Sequence, residues 1–162
     1  MALREPAGAR YRIIGASREH LDEITRIEST SFLIPWKREF FESELTESYR
    51  YARVLVSSDG TLPHVAGYLF AVSLYEEFHI NKIATDPRVR GQGLGRELLE
   101  NAIAEARTQR ATAVTLEVRV SNLPAREFYA SYGFREAYRR RAYYQDGEDA
   151  FAMMLSLRTV KR

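Results

Sequence analysis

The feature that most constrains the fold of this chain is a run of three glycines within five residues, Gly91, Gly93 and Gly95. The stretch before it, residues 78–85, has the apolar and β-branched composition of a strand. The stretch after it carries leucine, isoleucine and alanine at helical spacing, with charged residues on the opposite face. The sequence therefore predicts a strand, a glycine turn and an amphipathic helix in direct succession.

Periodicity along the rest of the chain predicts elements in the order β-α-α-β-β-β-α-β-α-β-β. Strands are expected at residues 11–14, 53–57, 65–74, 78–85, 112–118, 134–144 and 150–157, and helices after Ser17, at residues 37–45, from Leu94 and after Asn122. This order predicts the α/β class, with one mixed, mostly antiparallel sheet and helices on both of its faces. Because 162 residues are typical of one domain, we expect a flexible lead-in at residues 1–9, a single domain at 10–158 and a tail at 159–162.

The composition excludes several classes of protein. With no cysteine in the sequence, disulfides, thiolate zinc sites and cysteine nucleophiles are ruled out. The histidines His20, His64 and His79 are scattered and form no pattern of metal ligands, so we expect no metal. We see no signal peptide and no apolar run of the roughly 20 residues that a membrane span needs, which favours the cytoplasm. The net charge of +2 is too small to indicate nucleic acid as a partner.

The glycine turn is suited to binding a phosphate group. Glycine has no Cβ to restrict φ or block approach, so backbone N–H groups can converge on one anion. The helix N-terminus adds partial positive charge and N–H donors, and Arg90 and Arg96 flank the turn, so a pyrophosphate is the natural ligand. The P-loop lysine is absent, and the dinucleotide spacing is not met because Leu98 stands three residues beyond Gly95. A tight structural turn is the alternative interpretation.

Two side chains have the chemistry of proton transfer. Glu117 is an acidic residue inside an otherwise apolar, β-branched strand, where it can act as a general base. The alternative, a solvent-facing salt bridge with Arg119 on the same strand face, is equally compatible with this position. Tyr129 offers an O–H to a leaving group, although packing in the core is the commoner role of a tyrosine on a helix face.

The turn and its surroundings resemble a known family. Residues 90–95, which follow residues 83–87, are similar to the acetyl-CoA motif R/Q-x-x-G-x-G/A of the GNAT acetyltransferases. Matches to the RimI branch of that family extend the resemblance over most of residues 10–157, at Pro35 and Trp36 and at residues 116–122, 128–129, 132–134, 140–144 and 148–150. Enzymes of that branch acetylate the N-terminal alanine of a small-subunit ribosomal protein. The resemblance implies a GNAT fold, acetyl-CoA as cofactor and a protein N-terminus as acceptor.

The resemblance also implies a role for individual residues. By this resemblance the cofactor-binding residues are Ile83, Ala84, Thr85, Gly91, Gln92, Gly93, Leu94, Gly95, Arg96 and Asn122. The first three would hold the acetyl and pantetheine arms through backbone groups, and the glycine turn would hold the pyrophosphate. Glu117 would be the general base and Tyr129 the general acid, so the resemblance favours the catalytic alternative for both.

Less specific signals indicate an acceptor groove. The candidate acceptor-binding residues are Trp36, Glu77, His79 and Tyr143. Glu77 can attract a basic peptide, His79 can contact the substrate or serve as a second base, and the two aromatic residues can shape the groove. For each of these residues, a structural role in the core or on a solvated strand is an equal or stronger alternative.

Departures from the RimI pattern leave the choice of acceptor open. Lys82 and Thr85 stand where the enterobacterial pattern has asparagine and valine, and Pro124 replaces a small residue. An enzyme for a small-molecule amine is therefore one alternative. A non-catalytic acyl-CoA-binding module is another, although the retention of Glu117 and Tyr129 argues against it. We expect a monomer or weak dimer that binds neither DNA nor a membrane.

Overall fold

A computed structural model describes residues 10–157 of the chain. Its strands are β1 (Tyr11–Gly15), β2 (Arg50–Ser57), β3 (Val65–Leu74), β4 (Glu77–Thr85), β5 (Ala113–Arg119), β6 (Arg135–Arg140) and β7 (Ala150–Ser156). Its helices are α1 (Leu21–Ser31), α2 (Arg38–Ser43), α3 (Leu94–Thr108) and α4 (Leu123–Ser131), with 3-10 turns at Arg18–His20 and Pro87–Val89. The predicted order of strands and helices is confirmed, while the expected lead-in at residues 1–9 and tail at 159–162 lie outside the described residues. Among residues 10–157, no helix is both long and apolar enough to cross a bilayer.

The strands form one sheet in the order β1-β2-β3-β4-β5-β7-β6. The pairs β1–β2, β2–β3, β5–β7 and β6–β7 are antiparallel, and the pair β4–β5 is parallel. This arrangement confirms the predicted mixed, mostly antiparallel sheet. The parallel ladder pairs residues 77–79 of β4 with residues 113–115 of β5, which places His79 opposite Thr115.

The described chain divides into two compact units, one of residues 10–72 and 82–102 and the other of residues 73–81 and 103–157. The core of the first unit is built on α1, where Leu21, Ile24 and Ile27 are fully buried, as their helical spacing predicts. They pack with residues of α2, β2 and β3, namely Phe41, Val54, Val56, Val65, Tyr68 and Phe70. Burying this apolar surface stabilises the first unit at roughly 25 cal/mol per Å² removed from water.

The helix α2 is shorter than expected and buries less of its surface. It covers Arg38–Ser43 instead of residues 37–45. Phe41 is fully buried, but Phe40, which we expected on the same apolar face, is 59% exposed. Consecutive residues of a helix point about 100° apart, so a helix this short turns only one of the two rings into the core.

The strand β6 ends at Arg140, earlier than the predicted end at Tyr144. Ala142 has a φ of 49°, which an extended strand does not allow. The N–H of Ala142 donates to Asp149 Oδ1 over 2.7 Å, so the backbone turns and the ladder with β7 ends at the pair Arg140–Ala150. Tyr143 therefore lies in the loop that joins β6 to β7.

The strand β5 is the centre of the second unit and is paired to β7 along its whole length. Alternate side chains point to opposite faces of a strand. On one face Val114, Leu116 and Val118 are buried. On the other face Thr115 and Glu117 are only partly buried, which makes them available to a pocket.

Candidate active site

The glycine turn lies in the first unit and joins β4 to α3, as predicted. Gly91 has a φ of 81° and Gly93 a φ of 79°, a region that glycine adopts far more readily than residues with a Cβ. The helix α3 begins at Leu94, and Glu97 N–H donates to Gly93 O over 3.1 Å. A helix N-terminus directly after two left-handed glycines has the arrangement of an anion-binding turn.

The surroundings of the turn leave room for a ligand. A Cβ built on Gly91 or Gly93 would meet no atom within 4 Å. Gln92 and Arg96 are exposed, and the exposed Arg90 contacts Ser31 Oγ through Nη2 at 3.3 Å. The turn is thus open and flanked by arginine side chains, and the binding of a pyrophosphate there remains a prediction.

The residues Ile83, Ala84 and Thr85 form the partly exposed end of β4, directly before the turn. Their neighbour in β3 is Gly67, where a Cβ would lie 2.9 Å from Ala84 O and 3.3 Å from Thr85 Cγ2. The missing side chain therefore lets β3 and β4 approach closely at this point. Contact between these backbone groups and the cofactor remains a prediction.

The second unit contains an open pocket of about 310 Å³. Its lining comes from the end of β3, β4, β5, β6, the following loop and β7: Leu74, Glu77, His79, Thr115, Leu116, Glu117, Ala137, Tyr138, Arg140, Tyr143, Ala152, Met153 and Met154. The structure thus brings the candidate base Glu117 together with Glu77, His79 and Tyr143, three of the residues that the sequence indicated for the acceptor.

Both carboxylate oxygens of Glu117 are engaged. Oε2 lies 2.9 Å from His79 Nε2, and Oε1 accepts a hydrogen bond from Arg140 Nη1 over 2.9 Å. The salt bridge with Arg119, which we considered from the sequence, is not formed: Arg119 binds Asp146 and Glu148 instead. Glu117 therefore lines the pocket and does not form a surface ion pair with a residue of its own strand.

Glu117 is held in its ionised form. Burial would raise the pKa of its carboxyl group, but the hydrogen bonds from His79 and Arg140, together with the positive charge of Arg140, outweigh burial and hold that pKa below its ordinary value. The pocket contains a second carboxylate, Glu77, which is exposed and makes no ion pair with any described residue. With two carboxylates and one arginine, the pocket favours a cationic ligand.

Tyr129 lies on α4 and is 8% exposed. Its ring packs against Phe128 and Phe134, with centroids 5.3 and 5.7 Å away, and it is not among the residues that line the pocket. Burial raises the pKa of its hydroxyl group, with a smaller contribution from Tyr144, so the group stays protonated at neutral pH. Packing is therefore observed, and the role of general acid remains a prediction.

Asn122 caps the helix α4. Its Oδ1 accepts a hydrogen bond from Ala125 N–H over 3.2 Å, and Pro124 occupies the first turn, where a missing N–H costs little. This contact explains an asparagine at the start of α4 without any ligand. The predicted contact of Asn122 with the cofactor is an additional role that remains a prediction.

Trp36 belongs to the first unit, where it packs against the core. Its backbone N–H donates over 3.0 Å to Oε1 of Glu28, a fully buried carboxylate that also pairs with Lys82 Nζ at 2.9 Å. The Lys82 ammonium lies 3.6 Å from the ring centroid of Phe32 and 5.1 Å from that of Trp36. These contacts fix the segment between α1 and α2, and a part for Trp36 in the groove remains a prediction.

Sequence reasoning missed Thr115, Tyr138 and Arg140 as members of the pocket. Thr115 could have been found, since it stands two residues before Glu117 and must share its strand face. Arg140 could not, because it comes from a strand 23 residues further along the chain and its pairing depends on the register of β6 with β7.

Comparison with known proteins gives a consistent result. Residues 21–134 match the acetyltransferase (GNAT) family. The chain is 37% identical over 134 residues to the [ribosomal protein bS18]-alanine N-acetyltransferase of Escherichia coli (strain K12), a match that covers 81% of this chain and 87% of that protein. It is also 33% identical, over an alignment of 163 positions, to the N-alpha-acetyltransferase of Sulfurisphaera tokodaii. That match covers 93% of this chain and 95% of that protein.

The fold agrees with these sequence matches. The crystal structure of the ribosomal-protein-S18-alanine N-acetyltransferase from Escherichia coli matches with a TM-score of 0.82 at 32% identity. The match covers 94% of this chain and 97% of that one. The similarity therefore includes both the glycine turn and the pocket-forming strands.

Proposed function

Since the chain belongs to the acetyltransferase (GNAT) family, it is an N-acetyltransferase that uses acetyl-CoA, and we propose that its acceptor is the α-amino group of a protein N-terminus. The relatives with 37% and 33% identity are named for acting on ribosomal protein bS18 alanine and for N-alpha-acetylation. The acceptor for which the Escherichia coli relative is named, an N-terminal alanine such as that of a ribosomal protein, is therefore the one that we propose.

The observation that carries this proposal is the pocket around Glu117. An amine attacks a thioester only in its neutral form, so an acceptor that enters as an ammonium ion must first lose a proton. The two carboxylates of the pocket attract the ammonium ion, and the ionised Glu117 promotes the loss of its proton, directly or through a neighbouring group. An α-ammonium has a pKa near 8, against about 10.4 for lysine, and thus needs only mild help at neutral pH.

The residues of the first unit fit the cofactor. Acetyl-CoA, when bound, supplies the acetyl thioester that the amine attacks. We assign its pyrophosphate to the turn formed by residues 91–96, on the strength of the two left-handed glycines, the open space and the helix N-terminus. The end of β4, Ile83, Ala84 and Thr85, precedes this turn and is assigned the pantetheine arm.

We assign Tyr129 the donation of a proton to the departing thiolate. Its buried hydroxyl group stays protonated at neutral pH, as a donor must. Replacing Tyr129 with Phe should slow kcat by roughly 10²-fold, because a positioned acid contributes at least that much, and should leave acetyl-CoA affinity unchanged. Loss of acetyl-CoA binding in calorimetry would mark Tyr129 as a packing residue instead.

The proposal is tested with an acceptor panel. It holds an arginine-rich peptide with an N-terminal alanine, the same peptide with a blocked N-terminus, and several small amines, with CoA release measured for each. Turnover with the free peptide alone supports the proposal. Turnover with small amines alone would refute it and indicate an enzyme for metabolites. Acetyl-CoA binding with no turnover on any acceptor would instead support the non-catalytic alternative.

A further inference from the structure

Three side chains of the pocket form a continuous row of hydrogen bonds. Glu117 Oε2 lies 2.9 Å from His79 Nε2, and His79 Nδ1 lies 2.7 Å from Thr115 Oγ1. The row runs across the parallel ladder of β4 and β5, in which His79 and Thr115 are direct partners. All three residues line the pocket.

The chemistry of the three groups fixes the direction of these bonds. An ionised carboxylate can only accept a hydrogen bond, so a neutral His79 ring carries its hydrogen on Nε2. Nδ1 then has only a lone pair and must accept from the hydroxyl group of Thr115. The oxygen of Thr115, with its own hydrogen committed to His79, presents lone pairs that can accept from an N–H donor in the pocket.

We propose that Thr115 contacts the α-ammonium group of the acceptor and passes its proton to His79, while Glu117 stabilises the imidazolium ion that forms. A carboxylate, an imidazole and a hydroxyl group are also joined in this order in enzymes that activate a hydroxyl group as a nucleophile. Here the hydroxyl group relays a proton and forms no covalent bond. This proposal rests on the proposed function, because it requires an amine acceptor in the pocket.

The proton balance of the relay is simple. One N–H bond of the ammonium ion breaks and its proton binds Thr115 Oγ1, while the original hydroxyl proton of Thr115 moves to His79 Nδ1. The acceptor becomes a neutral amine and keeps its electron pair for attack. Thr115 ends as it began, His79 becomes an imidazolium ion, and the proton later leaves His79 for solvent.

The surrounding charges favour His79 over Glu117 as the group that receives the proton. Both oxygens of Glu117 are already engaged, by His79 and by Arg140. The lowered pKa of Glu117 makes it a weak proton acceptor, whereas histidine is the side chain suited to proton transfer near neutral pH. The other titratable or charged groups that face His79 in the pocket are Glu77, Tyr138, Arg140 and Tyr143.

The test compares Thr115→Val with Thr112→Val in steady-state kinetics. Valine has the shape of threonine without the hydroxyl group, and Thr112 stands just before the same strand, outside the pocket, where its hydroxyl group contacts Glu76 O at 3.3 Å. We expect Thr115→Val to lower kcat by about 10-fold or more with little change in the acceptor KM, and Thr112→Val to behave as wild type. Equal kcat values for Thr115→Val and wild type would overturn the relay.

A double-mutant cycle separates a relay from independent contributions. If Thr115 acts only through His79, the variant with both Thr115→Val and His79→Gln should be no slower than His79→Gln alone. If the losses in kcat of the two single variants add in the double variant, the relay is contradicted. Mass spectra that show acetylated Thr115 after incubation with acetyl-CoA alone would also contradict it.

The design distinguishes a wrong relay from a wrong acceptor. Wild type is measured first on the alanine peptide and on small amines, and the two threonine variants are then compared on whichever acceptor is acetylated. Turnover restricted to small amines would count against the proposed function. Unchanged turnover of Thr115→Val on the acetylated acceptor would count against the relay alone.

Discussion

At the scale of single residues, we propose that the chemistry of the pocket depends on Glu117. It lies on the partly exposed face of β5 and shares its two oxygens between His79 and Arg140. A carboxylate held by two donors stays ionised and oriented before the acceptor arrives, so it can stabilise positive charge in the pocket. Its environment, more than its position in the sequence, makes it a candidate catalytic group.

Replacing Glu117 with Gln should lower kcat by roughly 10²-fold or more, because the amide can neither take the proton nor stabilise an imidazolium ion. The matched control is Glu127→Gln, an exposed position on α4 that lies outside the pocket lining. Turnover of peptide is measured for both variants at neutral pH. Near-normal turnover of Glu117→Gln would remove this residue from the mechanism.

Replacing Arg140 with Gln should raise the pKa of Glu117 toward the ordinary value. The ion pair favours the charged carboxylate, so its loss makes the carboxyl group hold its proton to higher pH. The measurement is a ¹³C NMR titration of the Glu117 carboxyl group. The neighbouring Arg139 pairs with Asp149 instead, so Arg139→Gln should leave the titration unchanged. An unaltered Glu117 pKa in Arg140→Gln would contradict the assigned contact.

At the scale of elements, the glycine turn was the most predictable part of the molecule. Gly91 and Gly93 adopt the left-handed conformation because the backbone must turn sharply between β4 and α3. The residue types alone predict this local geometry, because glycine adopts a positive φ readily. The end of β6 was not predictable, because it depends on a hydrogen bond between Ala142 and Asp149, whereas the aromatic residues that recur through residues 134–144 favour a longer strand.

Gly93→Ala and Gly60→Ala form a matched pair of variants. Both glycines have a φ of 79° and open space where a Cβ would stand, so each alanine should cost about 1 kcal/mol of unfolding free energy. Urea denaturation measures that cost, and calorimetry measures the affinity for acetyl-CoA. Only Gly93→Ala should weaken acetyl-CoA binding, and Gly93→Arg should abolish it. Unchanged affinity in Gly93→Arg would refute the phosphate turn.

At the scale of the whole molecule, the sequence predicted the order of elements and the class of sheet, because both follow from apolar periodicity. It did not predict the division into two compact units. The sequence also did not predict which residues pair with buried charged groups, because such partners lie far apart in the chain. Asp86 is an example: it is 1% exposed and pairs with Arg26 of α1, 60 residues earlier, as well as with the nearby Arg88.

Asp86 makes the stability of the protein depend on pH. Burial alone would raise the pKa of its carboxyl group, but hydrogen bonds from Arg88 and Arg26 lower it from 3.8 to about 2. A group with a lowered folded-state pKa stabilises the protein above its unfolded pKa, and this contribution is lost as the pH falls through the folded-state value. We therefore expect Asp86 to contribute about 2 kcal/mol at neutral pH.

Replacing Asp86 with Asn should lower the unfolding free energy by about 2 kcal/mol at pH 7, and the difference from wild type should shrink as the pH falls toward 2. The control is Asp22→Asn, which breaks an exposed ion pair with Arg38 and should cost less than about 1 kcal/mol. Urea denaturation across pH measures both. A difference that stays constant from pH 7 to pH 2 would contradict the ionised pair.

The central claim is that the acceptor is an α-amine, and one measurement tests it most directly. A peptide with a free N-terminal alanine and several internal lysines is incubated with the enzyme and acetyl-CoA, and tandem mass spectrometry locates the acetyl group. We expect acetylation of the alanine nitrogen alone, with all lysines unmodified. Acetyl groups on lysine, or an unmodified peptide under conditions in which a small amine is acetylated, would contradict the claim.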